Sequence, residues 1–201
     1  MNGMNKSLSR LCLVGAVVGA LSVSACGSDS ASTLFGYVPP STKNSASVSV
    51  TEAGASAPFT LKAKEGELLV VYFGYTHCPD VCPTTLADWA RAKRALGADT
   101  TGIHWLFVSV DPTRDTPAEA HGYARQFDPA FTGTAPTDAE LALLLKDWAI
   151  AAYPEGDPRT SDYTVAHPAH TFVVDADGRF RLMIPPGVRA DDIADDLRRL
   201  R

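Results

Sequence analysis

The run LLVVYFGY, Leu68 to Tyr75, constrains this chain more than any other segment, because it is apolar and β-prone like a buried strand and leads straight into a pair of cysteines. The pair, Cys78 and Cys82, lies in the stretch THCPDVCP, and from Thr84 to Leu96 apolar residues recur at helical spacing. A strand therefore hands over to a helix at the two thiols. Four residues of separation is close to one helical turn, so a helix whose first turn includes this segment turns both sulfurs the same way. That arrangement suits a soft metal ion or a reversible disulfide.

The pattern elsewhere extends the same architecture. Strands are expected at about 59–63, 68–74 and 103–110, helices at about 83–96, 117–127 and 138–149, and a short extended piece at 131–134. A strand at 171–174, an Asp-Gly turn at Asp177 and Gly178, a strand at 180–184 and a helix at 190–200 close the chain. Ser47 to Thr51 alternates like one strand of a surface hairpin. This order describes an α/β fold of thioredoxin type, a central mixed β-sheet flanked by helices.

The N-terminus has another character. Lys6 and Arg10 precede an apolar stretch from Leu11 to about Val23, and small residues lead to Cys26, the layout of a secretory signal peptide. The apolar run is short for a spanning helix. Val23-Ser24-Ala25-Cys26 resembles the bacterial lipobox, whose cysteine is lipidated and becomes the first residue of the mature protein. The expected organisation is a leader over 1–25, a Ser/Ala-rich tether over 26–33 and one domain over 34–201. Cleavage removes Cys12 and commits Cys26 to lipid, which leaves Cys78 and Cys82 as the thiols of the exported domain. Lys6 and Arg10 leave with the leader, so the formal charge moves from -5 to -7, which excludes nucleic-acid binding. The remaining length supports a proper core without disulfide staples, so the cysteines read as functional.

Four blocks carry a resemblance to the Sco/SenC family of copper-handling, thioredoxin-like proteins: FGYTHCPDVCPTTL, LFVSVDPTRDTP (Leu106 to Pro117), YARQFDPAFTG (Tyr123 to Gly133) and YTVAHPAHTFVVDADGRF (Tyr163 to Phe180). The resemblance implies metal ligands at Cys78, Cys82 and His167, two thiolates and an imidazole that suit cuprous ion. It further implies a membrane-tethered metallochaperone on the outer face of the cytoplasmic membrane, passing copper to the dinuclear copper centre of cytochrome c oxidase without catalytic turnover. The alternative is a thiol-disulfide oxidoreductase that uses Cys78 and Cys82 as a redox pair to reduce the client's copper-ligand cysteines. Either role calls for a thioredoxin-like reductant, because a close dithiol outside the membrane tends to oxidise. The chain departs from the family at Ala166, where many members carry an acidic residue, which would help hold cupric ion or orient the imidazole.

His170 rivals His167, but His167 follows Tyr-Thr-Val as the family pattern requires, and His170 is assigned a core or surface role. His77 reads as a bystander beside the motif, Asp80 and Pro83 as first-turn residues, and Asp111 and Asp115 as the turn that caps the next helix. Trp89, Trp105 and Trp148 read as packing residues, and the acidic run from Asp191 to Asp196 as the solvated face of the last helix.

Overall fold

In a computed structural model that describes residues 33–39, 49–51 and 58–201, the chain from Leu34 to Arg201 forms one compact unit. The expected leader, the expected tether as far as residue 32 and the lipidation expected at Cys26 lie outside the described residues. The strands are β1 (Ser49–Val50), β2 (Phe59–Thr60), β3 (Leu68–Gly74), β4 (Ile103–Ser109), β5 (Thr132–Thr134), β6 (Tyr153–Glu155), β7 (Thr164–Ala166), β8 (Thr171–Val174) and β9 (Phe180–Ile184). The α-helices are α1 (Val81–Leu96), α2 (Pro117–Arg125), α3 (Asp138–Trp148) and α4 (Ala190–Arg199). None of the described helices is long and apolar enough to cross a membrane.

The central sheet runs β5-β4-β3-β8-β9. β3 pairs in parallel with β4, and β4 with β5, whereas β8 joins both β3 and β9 antiparallel. All seven residues of β3 are buried, which explains its unbroken apolar sequence, because a central strand covered on both faces has no side open to water. Alternation along β3 separates the two layers. Tyr72 meets Trp89 of α1, with ring centroids 6.2 Å apart, and Phe73 meets Trp148 of α3 at 4.9 Å. The three tryptophans, read as packing residues, are buried, and Trp89 Nε1 donates to Thr171 Oγ1 on β8 at 2.9 Å, tying α1 to the sheet.

Several boundaries differ from those expected. The strand expected over 59–63 is two residues long, since from Leu61 the chain turns inward and Ala63 N–H bonds Asp175 O instead of a ladder partner. Helix α2 is capped by Thr116 in a reciprocal box with Glu119, and neither Asp111 nor Asp115 caps it. Asp196 is not on a solvated face: it is fully buried and accepts from the backbone N–H of Phe35 (3.0 Å) and Gly36 (2.8 Å), fastening the start of the domain to α4. The hairpin of β6 and β7 is new. Its strands are three residues each, β6 is exposed throughout and contains Pro154, so neither period nor propensity announces it.

Gly133 on β5 lies against α2 so closely that a Cβ would collide with the backbone carbonyl of Ala120. Backbone gives way poorly, so Gly133→Ala is expected to cost about 1–3 kcal/mol as an overpacking change. A urea midpoint equal to that of the parent protein would show that the helix is free to shift.

Candidate metal centre

The site is built where β3 ends. Its last residue, Gly74, is followed by Tyr75 to Pro79, and α1 begins at Val81, so Cys82 falls in the first helical turn and Cys78 in the loop just before it. Asp80 occupies the N-cap position, yet its carboxylate makes no capping bond. The sulfur of Cys78 takes that place by accepting the Cys82 N–H at 3.4 Å. A free helix-terminal N–H and the positive end of the helix dipole both favour negative charge on that sulfur.

His167 arrives from the other side of the motif. It follows β7, and its Nε2 lies 3.5 Å from Cys82 Sγ. Its Nδ1 lies 3.1 Å from the carbonyl oxygen of Pro168, which only accepts, so the ring proton sits on Nδ1 and Nε2 presents its lone pair to the sulfurs. The ring is held edge-on between Tyr72 (5.9 Å) and Tyr75 (5.7 Å). Cys78 Sγ, Cys82 Sγ and one His167 nitrogen lie within 4.8 Å of one another, a set that could hold a metal ion. Among the described residues no other such group is found, and His170, just before β8, is not part of this one.

The two thiols differ in environment. Cys78 is held well below the ordinary thiol value, first by a hydrogen bond from Cys82 and then by the backbone N–H groups of Asp80 and Cys82, which together outweigh its partial burial. Cys82 is fully buried and pushed up, by burial first and then by its neighbour Cys78. Tyr72 is also pushed up, by burial and the nearby Cys82 sulfur, and as a neutral phenol its O–H donates to that sulfur at 3.8 Å. Negative charge is therefore favoured on Cys78 and disfavoured on Cys82.

The SVDPTRDTP block supports this centre. Asp115 is buried and accepts from Thr76 N–H (2.9 Å), Thr76 Oγ1 (2.6 Å) and Ser109 Oγ (2.6 Å), which fixes the loop before Cys78 to the end of β4. His77 is exposed, 3.0 Å from Thr76 Oγ1 and 3.5 Å from the Asp115 carboxylate, and is not one of the converging donors. Asp111 accepts from the hydroxyl of Tyr163 at 2.6 Å. These roles, like those of Tyr72 and Tyr75, escaped the sequence. For Tyr72 a signal existed, since strand alternation places it on the sheet face that carries α1.

The comparisons with known proteins agree with this geometry. A model of the SCO1/SenC family matches residues 50–201. A SCO2-like protein of Rickettsia conorii is 31% identical over 58% of this chain and 57% of its own length. The mitochondrial SCO1 homolog of Homo sapiens is 31% identical over 64% of this chain and 44% of its own. The chain thus spans about half the length of these curated relatives. Among solved structures, copper-bound ScoI of Bradyrhizobium japonicum is 36% identical with a TM-score of 0.67, covering 76% of this chain and 96% of that one. Apo Sco1 of Thermus thermophilus is 30% identical with a TM-score of 0.73, covering 84% and 98%.

The asymmetry of the thiols has a direct readout. In the reduced, metal-free protein, iodoacetamide is expected to modify Cys78 first, at a rate nearly independent of pH from about 6 to 8, because its thiolate is already formed. An ordinary thiol speeds up about tenfold per pH unit over that range. A Cys78 rate that climbs tenfold per unit would mean that the surrounding donors do not stabilise its thiolate.

Proposed function

This chain belongs to the SCO1/SenC family, and we propose that it binds copper through Cys78, Cys82 and His167 and carries it to the copper-site subunit of cytochrome c oxidase. The observation that carries this proposal is the convergence of two sulfurs and one imidazole nitrogen within 4.8 Å at the end of β3. Soft sulfur donors favour cuprous ion, and imidazole serves either oxidation state. Copper is the cargo here. Both cysteines are buried, but Cys78 keeps 8% of its surface open and Cys82 none, so a partner's cysteines and histidines would approach from the Cys78 side and take over the ligands one at a time. Lipidation at Cys26, on the outer face of the cytoplasmic membrane, would raise the effective concentration beside a membrane-bound client.

A second reading is favoured by the unequal thiols. The Cys78 thiolate can attack a client disulfide, forming a mixed disulfide and expelling one client thiolate. Cys82 then attacks Cys78 Sγ, releasing the second client sulfur and leaving the Cys78–Cys82 disulfide, which an external dithiol reduces. The two roles are compatible in sequence, because a client's cysteines must be reduced before they take copper.

Anaerobic titration with cuprous ion against a competing chelator tests the assignment. The reduced protein is expected to take one tight equivalent. Losing a ligand is expected to cost more than the roughly 10–100-fold typical of residues that only support one, so Cys78→Ala and Cys82→Ala should lose more than about a hundredfold. His167→Ala should weaken binding and His170→Ala leave it near the parent value. Tight binding by either cysteine variant removes the site, and a protein that ignores cuprous ion yet reduces a client disulfide is an oxidoreductase. For the tether, Cys26→Ser is expected to move the protein from the membrane fraction to the soluble one, and an unchanged distribution counts against lipidation.

A further inference from the structure

The hairpin that delivers His167 has no place in the central sheet. β6 and β7 pair only with each other, and β6 is exposed along its length. Beyond Ala166 the chain runs through residues 167–170 without regular structure before β8 begins. The hairpin is held to the body by side chains, chiefly the buried Tyr163 and Val165 and one cation from the far side of the site.

That cation is Arg114, in the turn between β4 and α2. Its guanidinium carbon lies 3.5 Å from the centroid of the Tyr163 ring, a close cation–π contact. Nη1 donates to the carbonyl oxygens of Ser161 (3.1 Å) and Tyr163 (2.9 Å), and Nε donates to Asp111, which also accepts from the Tyr163 hydroxyl. The same guanidinium lies 5.5 Å from the centroid of Tyr75, whose ring borders His167. A planar fork that bonds two successive parts of one strand's approach while stacking on its aromatic residue fixes both distance and orientation, which a lysine ammonium does not reproduce.

We propose that Arg114 is the positioning residue for His167: by clamping Ser161 and Tyr163 it seats the β6–β7 hairpin so that the imidazole reaches the two sulfurs. This rests on the copper-site assignment made above. The cysteine half of the centre is secured separately through Asp115 and Thr76, so loosening the clamp withdraws the nitrogen ligand and leaves the dithiol in place. Arg114 touches no ligand atom of the site; its effect passes through the strand it holds.

The test is a double-mutant cycle on cuprous affinity, with parent, Arg114→Lys, His167→Ala and the double variant titrated anaerobically against the same chelator. Lysine keeps a cation opposite Asp111, which limits the cost of an unpaired buried charge. Arg114→Lys is expected to lose about 10–100-fold in affinity, and the double variant no more than His167→Ala alone. The rate of Cys78 alkylation in the metal-free protein is expected to stay at the parent value, which a general loosening of the fold would not allow. Should Arg114→Lys fold poorly, Tyr163→Leu, which removes the ring beneath the guanidinium, is expected to give the same pattern. Parent affinity in both clamp variants, or losses that multiply in the double variant, would overturn the positioning role while leaving the copper site standing. If His167→Ala itself binds like the parent, the ligand assignment fails and the positioning role falls with it.

Discussion

A buried carboxylate governs this structure. Asp115, at the end of the turn that follows β4, spends its oxygens on Thr76 and Ser109, so that the loop entering the first cysteine is tied to a neighbouring strand and not left to the solvent. An acceptor this deep is costly unless satisfied, and here it is satisfied entirely by groups whose positions matter to the site. With that loop held, Cys78 Sγ meets a free N–H in the first turn of α1, that of Cys82, whose own sulfur faces the same way. Preorganisation of this kind reduces the ordering that binding would otherwise have to impose.

The centre is thus assembled from two halves with different mechanical support. The cysteines stand on the junction of a fully buried strand and a sixteen-residue helix, among the most densely packed elements of the chain. The histidine follows a hairpin outside the sheet, held to the body chiefly through Tyr163, Val165 and the Arg114 guanidinium. On the reading proposed above, the two sulfurs form the fixed pair and the imidazole is the donor whose withdrawal would leave the core undisturbed.

The thiols divide labour along the same lines. Donors from the helix end and from Cys82 favour negative charge on Cys78, while burial disfavours it on Cys82. Such an unequal pair is chemically ready for metal transfer, where the outer ligand is exchanged first, and for thiol-disulfide exchange, where the outer sulfur attacks first. The two readings of function share one physical origin.

Local patterns were enough to establish the strand-to-helix junction at the cysteines, the order of the sheet's main strands and helices, and the aim of Cys78 and Cys82 toward one side. All of these follow from periodicity within a dozen residues. Resemblance to a family, not spacing, pointed to His167, which lies 85 residues from Cys82 and leads into β8, the strand antiparallel beside β3. Packing alone decided that Asp115 turns inward to Thr76 across 39 residues, that Arg114 clasps Tyr163 across 49, and that Asp196 is buried against the start of the domain. It also decided which thiol favours the charge. The reason is that a one-dimensional pattern records what a residue's own helix or strand requires, whereas the partner of a buried charge or a guanidinium fork is chosen by whichever element the folded chain brings within 3 Å of it.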